Sequence, residues 1–194
     1  MKLRAVLSAF ILLSVLGVVS GAPGAATICA PQILSDRTYG TSETDYFNNF
    51  NTNTAGGFVA TGSTYAGTFP SAPVFGSFHV SLIRTGPTGA VDWQRYYGGT
   101  GDEQGVSVVP TSDGRFIVGA FSTSGISGNK SSPNYGSSDY WLIRVGPDGT
   151  KLWDKSYGGT DGDYLHAVIP MPAGGFLLCG DSYSGVGGNK TSPR

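Results

Sequence analysis

Apolar residues come in short bursts along this chain, each closed by a cluster of turn-forming residues, and residues 103–157 show the pattern most completely. A first burst over 105–109 ends at Thr111-Ser112-Asp113-Gly114, whose Asp-Gly pair favours a tight hairpin. A second over 115–121 is followed by a Gly/Ser/Asn/Pro-rich stretch, 122–138, whose composition disfavours helix and strand alike. A third, 139–145, ends at Gly146-Pro147-Asp148-Gly149, and a fourth runs over 151–157. The pattern predicts four antiparallel strands joined by tight turns and one long loop.

The predicted strands differ in polarity. Strands two and three are apolar on both alternating sets: Phe116 and Val118 interleave with Ile117, and Trp141, Ile143 and Val145 with Leu142. Such strands need cover on both faces. In strand four, Lys151, Trp153, Lys155 and Tyr157 alternate with Leu152, Asp154 and Ser156, a mixture suited to an outer edge. A four-stranded antiparallel sheet held between two others, with its last strand at the rim, is the blade of a β-propeller.

The unit recurs. Trp93-Gln94-Arg95-Tyr96-Tyr97-Gly98-Gly99-Thr100 returns sixty residues on as Trp153-Asp154-Lys155-Ser156-Tyr157-Gly158-Gly159-Thr160. The loop word Gly128-Asn129-Lys130-Ser131-Ser132-Pro133 returns at the same spacing as Gly188-Asn189-Lys190-Thr191-Ser192-Pro193. Toward the N-terminus the spacing falls to fifty-eight, matching Tyr39 with Tyr97, Asp45 with Glu103 and Phe58 with Phe116. Leu82-Ile83-Arg84 keeps the sixty-residue spacing to Leu142-Ile143-Arg144, so the first unit is shorter in its long loop, where surface connections tolerate change.

Repeats of this length build arrays whose units shield one another. The expected architecture is all-β, with propeller blades of four antiparallel strands forming about three blades of a larger propeller. Within a partial propeller over 27–194, a lone strand is expected at 32–39, full blades at 43–97 and 103–157, and a half blade at 163–194. Because propellers close at about four to eight blades, the chain reads as a piece of a longer polypeptide whose remaining blades cover its open faces. A short solenoid capped by a partner is the alternative reading.

The motifs W-x-x-x-Y-G-G-T, x-D-G-x-F-x-x-G and D-Y-W-L-I-R-V-G-P-D-G-T-K-L-W resemble the secreted β-propeller repeats, of the SBBP type, found in bacterial and archaeal exported and surface proteins. The resemblance covers nearly all of the chain beyond its N-terminal segment. It implies a multi-bladed propeller in a large extracellular protein that often carries adhesion or sorting modules, and no common catalytic activity. Three positions depart from the pattern: Thr41 stands for the second Gly, Ser35 for the Trp of the first outer strand, and His79 for the acidic residue found at Asp139. These departures argue against a site that requires equal blades.

The N-terminus places Lys2 and Arg4 before an uncharged apolar run, 5–19, and then the small residues Ser20-Gly21-Ala22 and Gly24-Ala25-Ala26. That order is a secretory signal peptide, expected over 1–26, with Gly21, Gly24 and Ala26 as alternative cleavage points. The apolar run is shorter than a membrane span calls for, with an uncleaved anchor as the alternative to a cleaved signal, so the chain is expected to be secreted or held at a cell surface. The remainder is one domain's length, rich in turns and aromatics, with 31 Gly, 10 Tyr and 10 Phe. A formal net charge of −1 and the lack of any basic run remove the case for nucleic acid. Cys29 and Cys179 form no disulfide framework. Cys179 replaces Gly119 of the preceding unit in an apolar strand and is expected to be a buried, inert thiol.

Acidic residues gather just after each Tyr-Gly element: Glu43 with Asp45, Asp102 with Glu103, and Asp161 with Asp163. Ringed at one end of a propeller, Asp45, Asp102, Glu103, Asp161 and Asp163 would offer oxygen ligands to calcium, which takes six to eight. The plainer role is that Asp45, Glu103 and Asp163 accept backbone N–H groups where the chain crosses between blades. A two-carboxylate glycosidase site is the weaker enzymatic reading. Trp93, Trp153, Tyr96, Tyr97 and Tyr157 would stack on sugars if exposed, although their place beside Gly suits packing between blades. Asn129 and Asn189 begin formal glycosylation sequons, yet both sit in the same repeated loop word, where a turn accounts for them. His79 and His166 are not at equivalent positions, and no catalytic set or metal cluster emerges. The sequence thus points to a non-enzymatic scaffold that binds a protein or glycan through loops near 62–76, 123–138 and 185–194. A calcium-dependent sugar binder and a structural spacer are the alternatives.

Overall fold

The computed structural model describes residues 37–41, 44–65 and 76–194, together with three two-residue strands nearer the N-terminus. These are β1 (Leu7–Ser8), β2 (Leu12–Leu13) and β3 (Gln32–Ile33). β4 (Thr38–Tyr39) pairs with β1, and β2 with β3. The strand expected over 32–39 is thus described as β3 and β4, and the expected signal peptide, 1–26, lies outside the described residues apart from β1 and β2. Glu43, Cys29 and the loop residues 66–75 also lie outside them.

The rest is all-β, with no helix among the described residues. The first sheet is β5 (Asp45–Thr52), β6 (Phe58–Tyr65), β7 (Phe78–Thr85) and β8 (Val91–Tyr97), antiparallel in that order. The second repeats it with β9 (Glu103–Pro110), β10 (Phe116–Ser122), β11 (Asp139–Val145) and β12 (Lys151–Tyr157). The third contains β13 (Asp163–Pro170) and β14 (Phe176–Ser182). The third and fourth strands begin and end where the sequence predicts. β9 starts two residues earlier than expected because Glu103 and Gln104 pair with Ser122 and Phe121.

The sheets stack in chain order. β9 lies against β5, β6 and β7, and β13 against β9, β10 and β11. One core fills the first junction: Val59, Val80 and Leu82 of the first sheet meet Phe116, Val118, Trp141 and Ile143 of the second. A second core uses the other set of alternating residues, Ile117 and Leu142, against Leu165 and Val168. The both-face apolar pattern of β10 and β11 is therefore two cores back to back. The first strands are also stitched together, since Val108 N donates to Asn49 Oδ1 at 3.0 Å and Val168 N to Ser107 Oγ at 3.2 Å, the same bond one unit later.

At the far side of the third sheet the pattern changes. Phe176 and Leu178 pack on the second sheet, while Leu177 is 51% exposed. Cys179 is exposed, which corrects the expectation of a buried thiol. The reason is positional: its side of β14 faces away from the second sheet, and among the described residues no further sheet covers it.

Leu177 and Ile117 occupy the same place in successive units, yet Ile117 is wholly buried. Ile117→Ala should therefore lower unfolding free energy by about 2–5 kcal/mol, and Leu177→Ala by less than about 1 kcal/mol. Urea denaturation of the two variants measures both, and equal losses would contradict the burial difference.

Candidate functional site

The loops that follow β10 and β14 fold back over the inter-sheet connections before them, so these loops and connections share one end of the stack. Asn129 Oδ1 accepts Gly98 N at 2.9 Å while its Nδ2 donates to Tyr96 O at 2.9 Å. Asn189 repeats both contacts, accepting Gly158 N at 2.9 Å and donating to Ser156 O at 2.8 Å. The two sequon asparagines are thus backbone braces whose side-chain nitrogens are engaged. Ser124 Oγ and Thr123 Oγ1 accept Gly101 N and Asp102 N, each at 2.8 Å.

The acidic residues are anchors of the same end. Thr41 N, Gly99 N and Gly159 N donate to Asp45 Oδ2, Glu103 Oε2 and Asp163 Oδ2 at 2.5, 2.9 and 2.8 Å. All three carboxylates are buried, and each also accepts a hydroxyl, from Thr64, Ser122 and Ser184 in turn. The backbone role predicted for them is what their geometry performs. It also explains the Tyr-Gly-Gly word, because a Cβ on Gly98 would stand 2.4 Å from Glu103 Oε2, and one on Gly158 2.8 Å from Asp163 Oδ2 and 2.0 Å from Asp139 Oδ1. Asp102 Oδ1 accepts Ser77 N and Phe78 N at 3.2 and 3.1 Å, and Asp161 Oδ1 accepts Gly162 N at 2.8 Å. Each of the five calcium candidates thus accepts at least one protein donor, and among the described residues no three acidic, His or Cys side chains gather as a metal site.

The sequence reading missed a buried polar network under the second loop. Lys130 is 2% exposed, and its ammonium donates to Ser132 O, Pro133 O and Ser156 Oγ at 2.7, 3.0 and 3.0 Å, 5.9 Å from the Trp141 ring centre. Burial lowers its proton affinity against the pull of Asp154. Asp154 accepts Ser132 N, Ser132 Oγ and Trp141 Nε1 at 2.9, 2.7 and 2.9 Å, and it pairs with Lys151. The edge strand β12 thus buries polar residues, Asp154 and Ser156, while Leu152, Trp153 and Tyr157 are exposed beside Lys155. The alternation was visible, but nothing local told which side the loop would cover.

The aromatics expected to pack between blades divide. Tyr97 is buried, with its hydroxyl on Gly149 O at 2.7 Å, and Trp93 meets Phe116 edge-on at 6.0 Å. Trp153 and Tyr157 stay exposed. Other aromatics gather at the loop end. Tyr65 and Tyr46 flank Phe78 at 5.5 and 6.2 Å, and Phe121, Tyr164 and Tyr183 form a second chain with spacings of 5.3 and 6.2 Å. A cleft of about 200 Å³ opens between the first two sheets, lined by Tyr46, Phe78, Phe121, Asp102, Gln104 and Thr123. Its signal in the sequence was faint: Tyr46 and Tyr164 are equivalent, but Gln104 stands between them in the series.

Stability against pH should carry two opposed limbs. Burial, aided by Asp163, pushes Asp139 up to about 6, so the fold favours its protonated form. This contribution is full below the ordinary value of 3.8 and is lost as pH rises through about 6. For Asp154 burial is outweighed by hydrogen bonds from Lys151, Ser131, Trp141 and Ser132, and its carboxyl is held well below the usual range. Its contribution is full above the ordinary value and is lost as pH falls beneath it. Chemical denaturation from pH 3 to 8 should show Asp139→Asn removing the decline toward neutral pH and Asp154→Asn blunting the acid loss. Unchanged profiles would contradict the assignments.

No known family model matches the chain, and no curated protein matches it.

Proposed function

We propose that this chain is a non-catalytic β-propeller segment of a secreted or cell-surface protein, serving as a binding or adhesion scaffold, with the SBBP-type repeats as its family. The propeller reading is supported by sheets stacked in chain order, first strands side by side and polar-backed fourth strands at the rim. The binding reading is carried by the aromatic cleft at the loop end.

Tyr46 is 46% exposed beside Phe78, and Asp102, Gln104 and Thr123 bring polar groups to the same wall. Flat apolar rings bordered by acceptors and donors suit a sugar ring, whose faces are apolar and whose edge carries hydroxyls. We infer a glycan as the ligand class. The loop over 122–138 walls the cleft through Thr123 and is stiffened beneath by Lys130 and Asp154, which keeps the ordering entropy of binding low.

A glycan array probed with the native chain and with Tyr46→Ala tests this reading. Binding should fall by about tenfold or more in the variant, the loss of one stacking aromatic, with the unfolding midpoint unchanged. A native chain that binds no glycan, or a variant that binds as well, contradicts it.

A further inference from the structure

The cleft between the first two sheets has a counterpart that is closed. First and second strands pair there in matched positions: Tyr46 lies opposite Ser63 in the first sheet, Gln104 opposite Phe121 in the second, and Tyr164 opposite Asp181 in the third. At the junction of the second and third sheets, Phe121 meets Tyr164 edge to face at 5.3 Å. One junction earlier the same two places hold Ser63 and Gln104, and both line the cleft of about 200 Å³. Two exchanges of a ring for a polar side chain thus accompany the open space.

The polar groups on its wall are not equal. Asp102 Oδ1 accepts Ser77 N and Phe78 N, Thr123 Oγ1 accepts Asp102 N, and Glu103 accepts Gly99 N with the Ser122 and Ser124 hydroxyls. Ser63 is different: it is 2% exposed, and its hydroxyl has no hydrogen-bond partner. A buried hydroxyl left unpaired is costly, and one that lines an open cleft takes its bond from what occupies the cleft. Gln104 adds an amide that both donates and accepts.

We propose that Ser63 and Gln104 determine the specificity of the cleft, and that it takes one neutral sugar ring at the end of a glycan, with a ring hydroxyl on Ser63 Oγ. The inference rests on the glycan reading above and narrows it. Size sets the single ring, because the volume falls below the roughly 300 Å³ at which pockets enclose a drug-sized ligand, and an internal stretch of glycan is larger still. Charge sets neutrality. Asp102 and Glu103 are both acidic and no Lys or Arg joins them on the wall, so the carboxylate of a uronate meets like charge.

Calorimetric titration of the native chain, Ser63→Ala and Ser63→Phe with methyl glycosides of neutral monosaccharides, their monodeoxy analogues and the matching methyl uronates tests this. The native chain should bind a neutral glycoside at least about tenfold more tightly than the analogue lacking one particular hydroxyl, and more tightly than the uronate. In Ser63→Ala that preference should shrink to about twofold or less while the deoxy analogue is still bound. Ser63→Phe carries the ring used at the next junction, so it should bind no probe while its unfolding midpoint stays at or above that of the native chain. Four results each overturn the proposal and leave the Tyr46-dependent glycan reading standing: a hydroxyl preference that survives Ser63→Ala, a uronate bound as tightly as the neutral ring, a Ser63→Phe chain that still binds, or a lowered midpoint in that variant. A native chain that binds no probe removes the proposal together with the reading beneath it.

Discussion

A strand that is apolar on both faces must be covered twice, and this requirement organises the molecule. β10 and β11 spend one set of side chains on the first sheet and the other on the third, and most of their residues are buried. Two-sided cover forces sheets to stack in series rather than fold onto a single partner. The contrast with β14 shows the physical cause. It holds the place of β10 in the repeat, but with one side covered its residues alternate between half-buried and exposed.

Stacking alone would leave the sheets free to slide, and polar bonds set their relation. A buried carboxylate at the head of each first strand holds the backbone of the connection before it. An Asn or Ser side chain of one first strand accepts the N–H of the next. A tyrosine at the end of a fourth strand reaches the turn of the following sheet. Each bond is modest by itself, but each fixes a register that the apolar contacts leave open, because burial has no direction. The loop end inherits that rigidity and can hold an aromatic cleft open to solvent.

The strands, their order and the polarity of β10, β11 and β12 were legible because a two-residue period and repeated turn words are local signals. The anchoring role of Asp45, Glu103 and Asp163 was legible too, since each follows a chain crossing. The Lys130–Asp154 network was not, because it joins a loop to a strand more than twenty residues away and depends on which way the loop closes. Cys179 was misjudged for a related reason: a local apolar pattern says that a face seeks cover and says nothing of whether a neighbour supplies it. The cleft was obscured because its aromatics come from different sheets, with Gln104 interrupting the series.

Amide hydrogen exchange resolved strand by strand tests two-sided cover most directly. The account predicts the strongest protection in β10 and β11, with matched amides in β14 exchanging about a hundredfold faster or more, since local opening follows the burial that must be undone. Protection in β14 equal to that in β10 would contradict it, because covered and uncovered strands at the same place in the repeat would then be equally stable.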